Sequence, residues 1–183
     1  AGGSSTVGFV LTGDIPVDVL IRGIGPALTS FGITNALAAP KLDLYSAGTV
    51  IASNTKWSTA LNSSDIAAGA ALAGAFPLAA TAADSALRVR LNPGAYTAAM
   101  SSATAGGSGV GLVEIYDITS GTAGQRLVNL STLAVAGSGD NTLIARGFPA
   151  PADPDEDPKV NAIDAQQELV ALGGVHLAVG MMG

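Results

Sequence analysis

Residues 85–118, SALRVRLNPGAYTAAMSSATAGGSGVGLVEIYDI, decide the fold. Over 86–91, Leu87, Val89 and Leu91 alternate with Ala86, Arg88 and Arg90, the period-two pattern of a strand with one wet face. Asn92-Pro93-Gly94 supplies a turn, because proline presets φ and glycine accepts a positive φ. Residues 96–101 return, the glycine-rich 105–109 make a looser connection, and 110–118 run out again. In that last run Leu112, Glu114, Tyr116 and Ile118 share one face, and Val113, Ile115 and Asp117 share the other. Strand, turn, strand, loop, strand predicts an antiparallel meander to which the remaining elements add layers.

The totals agree with an all-β reading. A chain of 183 residues suits one domain with a short appendage. It is 48% hydrophobic but only 4% aromatic, with 24 glycines, so small side chains on a turn-rich backbone can pack sheets closely. Of 14 acidic residues, four (Asp153, Asp155, Glu156 and Asp157) sit in one cluster, and the rest of the chain is nearly neutral. The eight Lys and Arg are scattered, which argues against a nucleic-acid binder. Without cysteine there is no disulfide framework, thiolate metal site or cysteine nucleophile. No apolar run is long enough for a transmembrane helix. The Ala1-Gly2-Gly3 start fits processing after export, so the expected location is extracellular, at the cell surface.

Before the central stretch, 6–11 and 17–22 are strand runs split by Thr12-Gly13-Asp14. Gly23-Ile24-Gly25-Pro26 then resembles the start of a dinucleotide-binding loop, with Asp43 in the place of a ribose-binding acid. Leu28 stands where the third glycine is needed, and Pro26 removes an N–H, so a structural turn with a one-turn helix is expected. Residues 41–46 and 49–53 form a hairpin through Ala47-Gly48. Trp57, the only tryptophan, reads as a plug over a sheet edge, with a sugar-stacking platform as its functional alternative. Ser64 and Asp65 signal a helix start, and an alanine-rich crossover helix is expected over 66–75, stopped by Pro77. After the central stretch, 126–132 and 142–146 are further strands.

Chemical alternatives are weaker. His176 is the sole histidine, and no Gly-x-Ser-x-Gly elbow accompanies it, so a structural or subunit-contact role is expected. Asp153, Asp155 and Asp157 could converge on calcium, but the spacing, glycine and distal glutamate of an EF-hand are missing. Asn62 and Asn129 each begin an N-glycosylation pattern. The expectation is no enzyme, no catalytic residue, no glycan-binding or metal site and no cofactor.

The two ends resemble each other: 1–22 and 136–163 each run through small residues, a β-run, Gly-Phe and an Asp/Pro turn into another β-run. As a set, VLIRGIGPAL (19–28), LDLYSAGTVIASNTKW (42–57), LNPGAYTAAM (91–100), GVGLVEIYDI (109–118), RLVNLST (126–132) and GSGDNTLIARGF (137–148) resemble a tandem immunoglobulin-like or jelly-roll β-sandwich module of large secreted bacterial surface proteins. That resemblance implies an extracellular sandwich with a structural or adhesive role and brings no catalytic residues. The expected architecture is thus an antiparallel β-sandwich over 1–148, with one short crossover helix. Residues 149–183 add an acidic, Pro-rich linker and a terminal extension strand.

The terminal strand carries the functional expectation. Val175, Leu177, Val179 and Met181 alternate with small residues and His176, as required to slide between packed sheets. Donated to a neighbour, such a strand would satisfy its edge hydrogen bonds. The four large side chains would contribute on the order of 6–10 kcal/mol before ordering costs. Val7, Phe9 and Leu11 form the other candidate donor. The expected protein is a structural subunit of a bacterial surface filament, with other copies of itself as partners and a cell-surface anchor protein as a further candidate. A monomeric adhesin or glycan- or calcium-binding module is the alternative.

Overall fold

The computed structural model describes residues 4–119 and, as backbone, the strands Arg126–Ala134, Leu143–Gly147 and Val175–Met181. The strands are β1 (Ser5–Thr12), β2 (Val17–Ile24), β3 (Pro40–Ser46), β4 (Thr49–Asn54), β5 (Ser85–Leu91), β6 (Gly94–Ser102), β7 (Leu112–Asp117), β8 (Arg126–Ala134), β9 (Leu143–Gly147) and β10 (Val175–Met181). Among the described residues one α-helix, α1 (Ser63–Leu72), crosses between the sheets from β4 to β5. The first sheet has the order β4-β3-β6-β1-β8 and the second β5-β2-β7-β10-β9. The fold is the all-β sandwich that the alternating runs predict.

The pairing is nested. β1 pairs with β8, β2 with β7 and β3 with β6, all antiparallel. This is a long hairpin rolled up on itself, with the β3–β4 hairpin at one edge of the first sheet. It corrects the expected meander: β5, β6 and β7 do not pair in sequence. β5 and β7 flank β2 in one sheet, while β6 lies between β1 and β3 in the other. The physical reason lies in burial: Leu87, Leu91, Ala98, Met100, Val113 and Ile115 all belong to one core, and successive strands reach it from opposite sides. The Asn92-Pro93-Gly94 turn therefore bridges the two sheets, with Gly94 at φ 156°.

Alternation places each strand's faces as expected. Phe9 and Tyr96 are direct cross-strand partners with stacked rings 5.5 Å apart. Ile21 faces Leu87 on one side and Ile115 on the other. On the wet face of β5, Arg88 donates to the Asp65 carbonyl at 3.0 Å and Arg90 lies 3.8 Å from Asp18. Ala47 (φ 48°) and Gly48 (φ 78°) make the left-handed two-residue turn that matches strand twist in the β3–β4 hairpin.

A third layer covers the outside of the second sheet. α1 and the chain after it pack on Leu20, Ala86, Tyr116 and Ile118. A 3-10 turn, Pro26–Phe31, closes over Ile24, Val110 and Leu112 beside them. α1 comes close because Gly69 faces the sheet: a Cβ there would stand 2.9 Å from Ile118 Cδ1. The helix begins earlier than expected, after Asn62, whose amide donates to the Arg88 carbonyl at 3.2 Å instead of capping. It ends before Gly74, at φ 64°.

β10 and β9 lie outside the rolled hairpin. β10 runs parallel to β7, with Leu177 opposite Val113 and Met181 opposite Asp117, and β9 runs parallel to β10. Although 143–147 resembles the first strand in sequence, β9 does not repeat the place of β1: one is in the second sheet, the other in the first.

Candidate functional site

The outer layer does not close completely. α1 turns Ile66 and Gly69 to the sheet, with Ala70 half-buried beside them, and neither glycine nor alanine fills the space next to Ile66. A cavity of about 250 Å³ remains between the helix and the second sheet, walled by Trp57, Ile66, Ala70, Ala75, Ala86 and Arg22. Ala67, Ala71 and Pro77 also border it and are exposed, so the opening to solvent lies along that lip. The wall is almost entirely apolar, with one charged exception.

Arg22 is fully buried. It faces Glu114 directly across the β2–β7 ladder, and its Nε lies 3.3 Å from Glu114 Oε2. The Phe76 ring covers the other side of the guanidinium, with its centroid 4.4 Å from Cζ. Among the described residues Nε, Nη1 and Nη2 meet no acceptor in hydrogen-bond geometry, so the contact of Nε with Glu114 is a charge pair. Burial pushes the Glu114 carboxyl above its ordinary value, against the Arg22 charge and the neighbouring Tyr116 hydroxyl, which hold it down. Burial and then the Glu114 charge push the Tyr116 hydroxyl well above 10.

The Gly23–Leu28 stretch forms the structural turn and short helix expected of it. Asp84, fully buried, accepts from the Gly25 and Ala27 amides at 2.8 and 3.2 Å. Those N–H groups are the ones that a phosphate would need, and the protein's own carboxylate occupies them. Gly25 is required sterically, since a Cβ there would lie 2.0 Å from the Leu37 carbonyl oxygen. Asp43, the residue in the ribose-acid place, points to the opposite sheet's surface. Burial there works against its charge, but hydrogen bonds from Lys41 and Ser53 hold its carboxyl below the usual range. Lys41 Nζ lies 2.8 Å from it.

Trp57 is half-buried and packs on the outer cluster of the second sheet, its Nε1 donating to the Ala79 carbonyl at 3.3 Å. It stands beside β5, the edge strand of that sheet, its backbone N–H donating to the Asp84 carbonyl at 2.9 Å, and it also borders the cavity. Val7, Phe9 and Leu11 are 0%, 1% and 2% exposed in the chain's own core. Val175, Leu177, Val179 and Met181 lie on β10, as does His176. Asn129 is on β8. Asp153, Asp155 and Asp157, and the whole linker 149–174, lie outside the described residues. Among the described residues no group of three or more His, Cys, Asp or Glu gathers as metal ligands, and no helix is long and apolar enough to cross a membrane.

Sequence reasoning missed the Arg22–Glu114 pair. Arg22 closes the short apolar run 17–22 and Glu114 sits on a named face of 112–118, but their meeting depends on β2 lying beside β7. The signal available was Arg22 between Leu20 and Ile24, on a face that also carries Asp18, and Glu114 as the one charged residue on the face of Leu112, Tyr116 and Ile118. Comparison with protein-family models, curated proteins and solved structures finds no match for the chain.

Proposed function

We propose that this chain is a structural subunit of an extracellular assembly whose copies join by lending the terminal strand Val175–Met181 to a neighbour. The observation that supports this reading is the β7–β10 ladder. The nested hairpin is complete with β1 to β8, and β10 is surplus to it, reached only after residues 148–174. A parallel strand on the outer edge of β7 makes the same backbone hydrogen bonds whether it comes from its own polypeptide or the next one.

The other donor candidate is less favoured by connectivity. β1 is joined to β2 by residues 13–16 alone, and β2 lies in the opposite sheet of the same sandwich. So short a link spans no more than ~15 Å. Val7, Phe9 and Leu11 could therefore be lent only to a copy lying directly against this one.

A disulfide trap tests the exchange, and the absence of native cysteine keeps it clean. Asp117 and Met181 are register partners. A chain carrying Asp117→Cys is mixed with one carrying Met181→Cys, unfolded, refolded together and oxidised. A covalent dimer on a non-reducing gel, with filaments or a ladder of oligomers for the native chain by size exclusion and microscopy, is the expected result. A bond that forms only when both cysteines are in one chain, with monomers alone in solution, would sink the proposal and leave a closed binding module.

A further inference from the structure

We infer that the outer face of the first sheet holds a groove for a neutral, extended oligosaccharide, with Tyr45 as the surface on which a sugar ring lies. This does not depend on the assembly reading, since the groove belongs to the first sheet and β10 to the second.

The groove follows from side-chain size. On β3, Asp43 and Tyr45 turn away from the core into which Leu42 and Leu44 are packed. Their ladder partners on β6 are Ala99 and Thr97, and beyond those stand Thr6 and Gly8 on β1. Tall side chains on one strand beside short ones on the next two leave a trough along β6 from Ala95 to Ser101. At the rise of an extended strand that is ~20 Å. Its volume of about 650 Å³ falls within the roughly 300–1,000 Å³ of small-molecule sites. Exposed residues stand at both ends, Ser4 at one and Ala47 and Gly48 at the other, so an occupant can run on past either.

Charge narrows the class. Asp43 is the one charged residue in the lining, and Lys41 Nζ balances it from 2.8 Å. An anion finds no unpaired cation among the described residues of this wall, and a cation finds a carboxylate that already has one. Thr97 and Ser101 add hydroxyls along the floor, so a purely apolar occupant would strand polar groups. A neutral molecule rich in hydroxyls satisfies both conditions. The Asp43 oxygens meet Ser53 Oγ at 2.6 Å and Lys41, and an ionised carboxylate keeps further lone pairs for a ligand hydroxyl.

The aromatic ring selects among such molecules. Tyr96 is stacked on Phe9 at the core. Tyr45 is half-buried in the trough wall and belongs to neither ring pair found among the described residues. Its ring is an apolar face with a polar tip. A pyranose matches it, with C–H groups on a flat face and hydroxyls around the rim. Flat rings joined end to end, as in a β-linked glucan, follow a straight trough, whereas a helical α-linked chain curls away from it.

The intact, isotope-labelled chain is titrated with cellohexaose and with maltohexaose, followed by two-dimensional NMR and calorimetry. The expected result is saturable binding of cellohexaose, with amide shifts confined to β1, β3 and β6, and maltohexaose at least about tenfold weaker. Tyr45→Ala should weaken cellohexaose about tenfold or more. Tyr45→Trp should retain binding, which separates loss of the ring from loss of the fold. Trp57→Phe, on the other sheet, should leave the affinity unchanged. Absence of saturable cellohexaose binding, maltohexaose binding as tight, shifts centred on Trp57, or an affinity unchanged in Tyr45→Ala would each overturn the inference. A disulfide trap that yields monomers alone would leave it standing.

Discussion

Arg22 and Glu114 stand opposite each other on neighbouring strands, 3.3 Å apart between Nε and Oε2, both with side chains about 1% exposed. Their attraction offsets the cost of removing two ions from water only while both are present. Arg22→Met or Glu114→Leu alone should therefore destabilise the fold by about 3–5 kcal/mol, because each strands a buried charge. Together the two substitutions should recover most of that loss. Denaturant unfolding of the four proteins in the cycle measures it, and additive losses would show that the pair does not act as a unit.

The same pair gives a pH signature. The folded Glu114 carboxyl is raised above 4.5 by burial, so the folded state holds this proton more tightly than the unfolded chain. Its contribution to stability is complete below about pH 4.5 and is lost as pH climbs through the raised folded value. Asp43 acts with the opposite sign: its carboxyl is held below 3.8, so its contribution is present above that value and disappears on further acidification. Thermal midpoints measured across a buffer series should fall from pH 4.5 upward. Glu114→Gln should flatten that fall whatever its absolute stability.

Asp84 accepts two amide donors through Oδ1, while Oδ2 has no hydrogen-bond partner among the described residues. Asp84→Asn keeps the useful oxygen and should stay within about 1 kcal/mol of the parent. Asp84→Ala orphans the Gly25 and Ala27 amides and should cost about 1–3 kcal/mol. Equal losses for both substitutions would show that the charge, and not the acceptor, holds the turn. Gly25→Ala, with its Cβ driven against the Leu37 carbonyl, should cost a further ~1–3 kcal/mol of the overpacking kind.

One edge of the first sheet is β4, where Val50 and Ile51 are 45% and 48% exposed. The strand TVIASN carries no charge and no proline, the features that usually protect an edge from pairing with another chain. Ile51→Lys should leave the unfolding midpoint within about 0.5 kcal/mol of the parent. Light scattering on heating should show slower aggregation than the parent.

Local pattern alone dictated much of this molecule. The alternation of Leu87, Val89 and Leu91 with Arg88 and Arg90, the two faces of 112–118, the Ala47-Gly48 hairpin and the Gly-x-Gly-Pro turn follow from side-chain period and backbone freedom, which act over a few residues. Which strands become neighbours was settled elsewhere. Period two says that a strand has an inside, but not which sheet supplies it, so the Asn92-Pro93-Gly94 turn could serve a hairpin or a crossing between sheets equally well. The nested order, the Arg22–Glu114 contact, the Asp84 carboxylate over residues 25–27 and the room left beneath α1 all join residues more than fifty positions apart or on separate layers. Such relationships depend on how complete surfaces bury one another, and no short window of sequence contains both surfaces.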